Sequence, residues 1–459
     1  AALTCPRAAV VAELARSAAL ERLRTHFTRA FAGIGRTDGE QNGSDGPELP
    51  LLAFERWRFA CKAAEEDAGK RPTDPVLPAG RVPEEPGLLA DLERAALSRP
   101  AALEVCRGLA QAAADESRKV QRLVHRLRSG GKNWGAQEGQ GATGAVSVDF
   151  HQHSIDLTAQ GHPQLLAKLT YAAYGKLAEL HRRNAPTGEA TAQAPPPGEP
   201  SSAPGAERDQ WESEGRAAAR LEVGGVTDAG RETLHERIFA MLLRYKCIRG
   251  HGFQMAVGPS VFKILETWLG TGMELFASPL NCHWGRFCSA FPDVDGPFGS
   301  AGSAYGFAPR SGSFEANPPF TLDAIARTAR QALAALEAAE RDELALSYAI
   351  FLPGWEEAEG WNRLKGSKLL EKFVLVAAQD HGYCDGASHQ RRDPFRGAHY
   401  DTGVFILRTS KARRRRPLGD GFETALRGAM AAAIPTEAAA KRARREQGAA
   451  HGELGNIKL

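Results

Sequence analysis

The chain has few cysteines, seven in 459 residues, and no pattern that pairs them. Cys5, Cys61, Cys106, Cys247, Cys282, Cys288 and Cys384 are scattered, odd in number and form no Cys-x-x-Cys. That argues against a disulfide framework and against a zinc module, and suits a reducing compartment. Long apolar runs are missing as well. None approaches the ~20 residues of a bilayer span, so no membrane partner is expected. Charge of one sign is also missing: the net charge is +3, so any basic surface must be local. No Gly-x-Gly follows the strand expected at 273–278, which removes the common dinucleotide fingerprint there. Hydrophobic residues make up an ordinary 42%, but much of that is alanine, so the core-forming mass is smaller than the figure suggests. The chain opens Ala1-Ala2-Leu3 without methionine, and a fragment is one reading of it. Residues 8–33 are faintly like a transit peptide in their Ala and Arg content. Glu13 and Glu21 speak for an ordinary helix instead.

At this length two or three domains are expected. Residues 1–128 read as a helical region. Helices are expected at 8–33 (Val11, Leu14, Leu20, Leu23, Phe27, Phe31 at helical spacing), 50–68, and once or twice within 88–128. The last of these ends in a basic run, Arg118, Lys119, Arg122, His125, Arg126 and Arg128, read as a solvated face or a nucleic-acid backbone contact. Residues 129–145 read as a Gly-rich linker. A middle region, 146–270, is expected to be mostly helical. It holds a strand at 146–151, helices at 163–183, 231–248 and 259–269, and a disordered low-complexity insertion at 185–215 around Pro195-Pro196-Pro197. From 271 to 410 the texture turns αβ-like. Strands are expected at 273–278, 287–291, 313–316, 345–352, 372–378 and 402–407, with an Ala-rich helix at 321–341. Alternation of strands with helices or long connections implies a mostly parallel, doubly wound sheet. Residues 411–459 read as a basic, Ala-rich tail. Its basic residues, with Arg408 before them, have three readings: a solvated tail, a nuclear-import signal or an RNA contact.

One short stretch carries chemistry: Asn317-Pro318-Pro319-Phe320. An exocyclic amine of a nucleobase is a poor nucleophile, because its lone pair is spread into the ring. Two acceptors set against its two N–H bonds draw it toward tetrahedral geometry and free that lone pair for a methyl donor. The Asn317 side-chain carbonyl can be one acceptor, provided that the amide's orientation is fixed. The Pro318 carbonyl can be the other. Two prolines in a row give a stiff extended corner, and Phe320 offers a face for stacking, worth roughly 1–3 kcal/mol per base. At about 5% usage per residue, a given tetrapeptide arises about once in 10⁵ positions, so its flanks decide. The other reading is a Pro-rich turn after a strand.

The flanks resemble one family closely, the phosphorylated-CTD-interacting-factor family of cap-specific adenosine N6-methyltransferases. The matching residues begin with Leu243-Arg244-Tyr245, Gly252-Phe253-Gln254 and Glu274-Leu275-Phe276-Ala277-Ser278-Pro279-Leu280-Asn281-Cys282. They continue through Phe287–Asp293, Asp295-Gly296, Phe298-Gly299-Ser300 and Phe307-Ala308-Pro309 to Ser311–Phe320. A thinner likeness runs on through Phe351-Leu352-Pro353-Gly354-Trp355, His399-Tyr400 and Val404–Leu407. The resemblance implies a helical region preceding a Rossmann-like class I methyltransferase domain of α/β type. It also implies S-adenosylmethionine as donor with no metal, 5′-capped mRNA as partner and a nuclear location. The implied target is N6 of the 2′-O-methyladenosine beside the cap. Animal members also carry a WW domain that binds the phosphorylated tail of RNA polymerase II. Here Leu352-Pro353-Gly354-Trp355-Glu356-Glu357 looks like the opening of such a module, but its central aromatic pair and second Trp-x-x-Pro are missing, so it reads as a strand end.

On that resemblance Asn317, Pro318, Pro319 and Phe320 are the catalytic candidates, and Phe276, Ser278, Pro279, Asn281, Asp293 and Glu315 the cofactor-binding ones. Phe276–Asn281 ends the first strand of the sheet, where such sheets hold a ligand. Ser278 and Asn281 can hydrogen-bond the donor, and Asp293 suits ribose hydroxyls or is a solvated turn. Glu315 faces donor or base, or is a surface acid. Cys282, Cys288 and His283 read as structural. Phe253, Trp268 and Trp284 are the nearest aromatics for a cap. Two other functions stay open: adenine methylation of internal RNA or DNA, and a catalytically silent RNA- or polymerase-binding module.

Overall fold

The computed structural model describes residues 3, 5–34, 53–67, 74–129, 144–184, 228–248, 255–386, 388–390 and 393–436. The Gly-rich gap at 36–48, most of the expected linker, the insertion at 185–215, Gly252-Phe253-Gln254, and Arg442, Arg444 and Arg445 lie outside the described residues. The chain divides into two compact units. The first comprises 1–149, 156–167 and 227–250, and the second 150–155, 168–226 and 251–459. Among the described residues no helix is long and apolar enough to cross a membrane.

The first unit is built on helices Pro6–Ile34, Ala53–Asp67, Pro86–Arg94, Arg99–Ser129 and Asp228–Lys246. Its apolar core includes Leu20, Leu23, Phe27, Trp57, Leu92 and Leu109. Beside that core sits a buried ionic cluster. Arg244 donates to both oxygens of Glu13, at 2.6 and 2.7 Å. Arg16 bridges Glu13 and Asp74, the latter at 2.9 Å. Arg24 and Arg58 both pair with Glu55 and donate to the Cys247 carbonyl. Guanidinium groups this deep in the protein are tolerated because each is paired and hydrogen-bonded. Glu13, which spoke against a transit peptide, is thus a buried partner of Arg244 in the Leu243-Arg244-Tyr245 motif. In the basic run of helix Arg99–Ser129, Arg118 pairs with Asp115 and Lys119 with Glu116, each within the helix.

A three-stranded sheet, β1 (Val146–Phe150), β2 (Ile155–Ala159) and β3 (His162–Leu169), runs in that order. Here the structure departs from the expected helix at 163–183. Residues up to Leu169 are strand, and the helix begins only at Tyr171 and ends at Asn184. The physical reason lies in the turn and the cap. Gly161 takes a positive φ of 81° and turns the chain from β2 into β3. Thr170 then caps the helix through its side chain. Leu166, expected on a buried helix face, is 39% exposed.

The second unit holds a six-stranded sheet of β4 (Glu274–Ala277), β5 (Phe287–Ser289), β6 (Gly312–Ala316), β7 (Leu346–Pro353), β8 (Leu370–Val376) and β11 (Thr402–Arg408). A separate pair, β9 (Gly382–Cys384) and β10 (Phe395–Gly397), is antiparallel. The order in the large sheet is β5-β4-β6-β7-β11-β8. Pairings from β5 to β7 are parallel, whereas β11 runs antiparallel to both neighbours. The sheet is therefore mixed rather than simply parallel. Among the described residues no crossover α-helix precedes β11; the chain reaches it from β10 and enters in the opposite sense. A mixed α/β architecture of this kind is compatible with a methyltransferase fold.

Both faces of this sheet are covered, which explains why β7 is apolar along its whole length. Tyr348, Ile350, Leu352, Phe405 and Leu407 pack on one side with helices Leu322–Arg341 and Glu359–Lys365. Ala349, Phe351, Val404 and Ile406 alternate to the other side, against helices Pro259–Leu269 and Phe422–Ala431. Gly403 lets Trp361 lie directly on β11, since a Cβ there would come within 2.3 Å of the indole. The expected tail from 411 is thus partly a packed element. Phe422, Leu426 and Met430 are buried in the second face, and burying each such side chain stabilises by roughly 1.5–3 kcal/mol. Arg408 is buried too. It donates to Ser347, Glu371 and the carbonyls of Ala412 and Arg416, and so closes the helix Ser410–Arg415 onto the sheet.

Candidate active site

The strand order locates the site before any side chain is considered. After β4 the chain passes to β5 on one side of it, then returns to β6 on the other side. The carboxyl ends of β4 and β6 therefore flank a point where the winding reverses, which is where open α/β sheets hold ligands. Ser278–Asn281 leaves the end of β4, and Asn317–Phe320 leaves the end of β6.

The tetrapeptide is held at both ends. Upstream, β6 pairs with β7 as far as Ala316↔Ile350. Downstream, Thr321 caps helix Leu322–Arg341 by accepting from Ala324 N at 3.3 Å. Asn317 is 8% exposed. Its Nδ2 donates to the Met255 carbonyl at 3.2 Å, and a carbonyl can take only the amide's nitrogen end. That fixes the orientation left open by the sequence. The other end, Oδ1, is a buried acceptor with no partner, and an unsatisfied buried acceptor costs about 1–3 kcal/mol. Pro318 is buried, while Pro319 and Phe320 are half-buried. Phe320 meets Tyr383 edge-on, with ring centres 6.1 Å apart.

Tyr383 belongs to a buried polar chain. Its hydroxyl lies 2.7 Å from Thr402 Oγ1, which also lies 2.8 Å from His381 Nε2, and His381 Nδ1 is 2.8 Å from the Ala377 carbonyl. Burial raises the Tyr383 phenol and lowers the His381 imidazole, so both are neutral near pH 7.

Glu315, one of the cofactor candidates, is 2% exposed, so the surface-acid reading is excluded. It lies directly opposite Glu274 in the β4–β6 register, and Glu274 is also 2% exposed. Glu274 Oε2 accepts from the backbone N–H of His283 at 2.7 Å and of Trp284 at 3.2 Å. Burial nonetheless pushes Glu274 up to about 7. Burial, and then the neighbouring Glu274, raise Glu315 well above the carboxylate range. Glu315 Oε1 has no partner. Glu274 and Tyr383 are members of this site that the sequence reading did not single out. A glutamate inside the apolar run Leu275-Phe276-Ala277 was the available signal for the first; nothing local marked the second.

The remaining candidates divide. Ser278 and Asn281 close the loop on each other, Asn281 Oδ1 accepting from Ser278 N at 2.8 Å and Ser278 Oγ at 2.9 Å. Pro279 is buried in the same turn, its carbonyl facing Cys282 Sγ at 3.8 Å. These residues shape the end of β4 as a rigid turn. Phe276 packs edge-on against Tyr305, whose ring also carries the Arg327 guanidinium at 4.0 Å. Asp293 is exposed in the helical turn Pro292–Asp295. The neighbouring Asp295 is fully buried. Of the cap aromatics, Trp284 packs with Phe262 and His283, the last two stacked at 4.8 Å. Trp268 lies edge-on to Phe422, and Phe253 is outside the described residues. Burial, with Lys176 and Lys263 nearby, lowers His283 to about 4, so its ring is neutral.

Residues 222–386, which contain both strand ends and the tetrapeptide, match the family model described as the phosphorylated CTD interacting factor 1 WW domain. This stretch is similar to that family. Proteins from Homo sapiens and Mus musculus, each named mRNA (2′-O-methyladenosine-N(6)-)-methyltransferase, are 34% identical to the chain over 195 residues. That alignment covers 40% of this chain and 27% of each relative, so the chain spans about a quarter of the length of the curated relatives it matches. Within the family stretch, Leu352 and Pro353 end β7, and Trp355 beyond them packs against Tyr400 at 5.9 Å.

The residues present fit a ligand that brings N–H donors or positive charge in one respect that can be checked atom by atom. Two buried acceptor oxygens, Glu315 Oε1 and Asn317 Oδ1, stand without partners at the end of β6.

Proposed function

We propose that this chain is an S-adenosylmethionine-dependent methyltransferase that modifies N6 of the cap-adjacent 2′-O-methyladenosine of mRNA. The observation that carries this reading is the Asn317 amide, fixed by Met255 so that its unpartnered oxygen faces an incoming N–H. The strand order supports a Rossmann-like class I methyltransferase domain, with β4 in the position of the first strand and β11 as the inserted antiparallel strand. The names of the human and mouse relatives support the substrate, and the family description supports a further association with the phosphorylated polymerase tail. A nuclear place of action follows from the same reading.

Bound at the ends of β4 and β6, the donor would supply an electrophilic methyl group on a sulfonium. The protein's own part is positioning. Asn317 Oδ1 takes one N–H of the adenine amine and the Pro318 carbonyl the other, so the nitrogen's lone pair is turned toward the methyl group. Both acceptors gain as positive charge develops on that nitrogen, and they need no reorganisation to do so. Pro318 and Pro319 hold the corner stiff, and Phe320, braced by Tyr383, stacks the base. A nucleotide at the 5′ end of an RNA leaves its stack more cheaply than one inside a duplex. Ser278, Pro279 and Asn281 form the wall on the β4 side.

The test is methyl transfer from labelled donor to A-starting RNA with and without a cap. Labelling confined to capped RNA is expected. Equal labelling of both would refute cap specificity and favour internal adenine methylation; no labelling of either, with donor bound, would favour a silent binding module.

A further inference from the structure

The Glu274–Glu315 pair has no role in the clamp just described. Its carboxyls are opposite one another on neighbouring parallel strands, and Glu315 N donates to the Met273 carbonyl at 3.0 Å to hold that register. Phe314 and Ala316 belong to the core on one face of the sheet. Glu315, between them, therefore points to the other face. On that face are Met255 and Phe320, which pack at the margin of the second core, and the Met255 carbonyl that fixes Asn317. Two unpartnered acceptor oxygens, Glu315 Oε1 and Asn317 Oδ1, thus share one end of one face of the sheet.

The groups around the pair are few. Glu274 takes two backbone N–H bonds from the loop after β4 and feels Lys176, whose Nζ donates to the Leu280 carbonyl at 3.3 Å. Facing Glu315 from the β9 side is the neutral Tyr383 phenol, and from β7 the register partner is Ala349. Among the described residues no cation pairs with Glu315. Two carboxylates this close and this deep cannot both ionise at neutral pH, so the pair keeps at least one proton. A buried acid that holds a proton, has an open oxygen and lies beside a methyl-acceptor clamp is suited to a positively charged ligand.

We propose that Glu315 is the counter-charge for a cationic group of the methyl donor, and that the Glu274–Glu315 pair releases its proton to solvent when that donor binds. The inference rests on the methyl-donor reading above and deepens it. The cationic group is either the sulfonium or the α-ammonium. Both are carried by S-adenosylmethionine, whereas S-adenosylhomocysteine keeps the ammonium and lacks the sulfonium. In each case the charge balances: one cation enters, one proton leaves, and the buried site stays near neutral.

Calorimetric titration with S-adenosylmethionine, in buffers of differing ionisation enthalpy, reads the proton directly. About one proton released per donor bound is expected near pH 7, with affinity tightening by up to about tenfold per pH unit below the pair's titration. Glu315→Gln, checked for cooperative unfolding, is expected to bind the donor more weakly and to release less proton, with only Glu274 left to titrate. If that variant does not fold, Glu274→Gln serves in its place, because removing the like charge shifts the pH dependence toward lower pH. Repeating the wild-type titration with S-adenosylhomocysteine separates the two cations: continued release assigns the ammonium, loss of release the sulfonium. Donor binding to the wild type with no proton exchanged and a flat pH profile would overturn the inference while leaving the methyltransferase reading intact. Failure of folded wild-type protein to bind the donor at all would overturn that reading, and the inference with it.

Discussion

Glu274→Gln offers a test of the buried acid pair that needs no ligand. In the folded protein burial pushes the Glu274 carboxyl from its ordinary 4.5 up to about 7. Below 4.5 the folded and unfolded chains both hold the proton, and the group adds no pH dependence. Between the two values the folded chain holds a proton that the unfolded chain has lost. Stability therefore falls as pH rises through this window. At about 1.4 kcal/mol per pH unit, the loss comes to about 3 kcal/mol by pH 8. Glutamine keeps an oxygen for the His283 and Trp284 N–H groups but has no proton to lose. Wild type and variant should then be equally stable near pH 4, with the variant more stable by up to about 3 kcal/mol near pH 8. Removing the like charge also eases ionisation of Glu315, which acts in the same direction. Urea unfolding of both proteins at the two pH values, followed by tryptophan fluorescence and circular dichroism, measures the difference. The same pH slope in both proteins would refute the assignment of a raised Glu274 carboxyl.

Three further outcomes follow from the geometry. Asn317→Ala removes the fixed acceptor and should lower methyl transfer by ~10²–10³-fold, while loss of the Met255 bond costs only about 1 kcal/mol in a melting experiment; turnover near wild type would contradict the clamp. Arg408→Ala removes a buried guanidinium, leaves its four acceptors without a donor and leaves Glu371 without its closest cation, so about 3–5 kcal/mol of stability should be lost by chemical denaturation. Glu13→Ala should cost a similar ~3–5 kcal/mol in the first unit, because Arg16 and Arg244 are then buried with less compensation; Glu21→Ala, an exposed acid on the same helix, should cost ~0–1 kcal/mol and serves as the control.

Much of the second unit was legible because its signals are local. Pro259–Leu269 starts on a proline and ends on Gly270 in the left-handed region, and the helix has the expected bounds. The strands at β4, β6, β7 and β11 fall within a residue or two of where their apolar runs place them. Other elements were hidden for identifiable reasons. β3 reads as helix because Leu165, Leu166 and Leu169 fit a 3.6-residue period as well as they fit a strand. The helix Phe422–Ala431 is hidden by the basic run before it, and its packing against the helix Pro259–Leu269 shows that it belongs to the core.

By itself the sequence determined the chemistry on offer: an Asn-Pro-Pro-Phe corner that suits an amine, strand-end turns at 278–281 and 317–320, and a set of cysteines with no framework to build. Those properties follow from residue type and short spacing, which a linear chain carries in full. Tertiary structure alone decided which atoms are open. It turned the Asn317 amide by giving its nitrogen to Met255, and used up Asn281 Oδ1 on Ser278. It also set Glu315 against Glu274, 41 positions earlier in the chain, so that each raises the cost of charging the other. Orientation, satisfaction and mutual charge depend on neighbours supplied by the packing of strands, and those neighbours are distant in sequence.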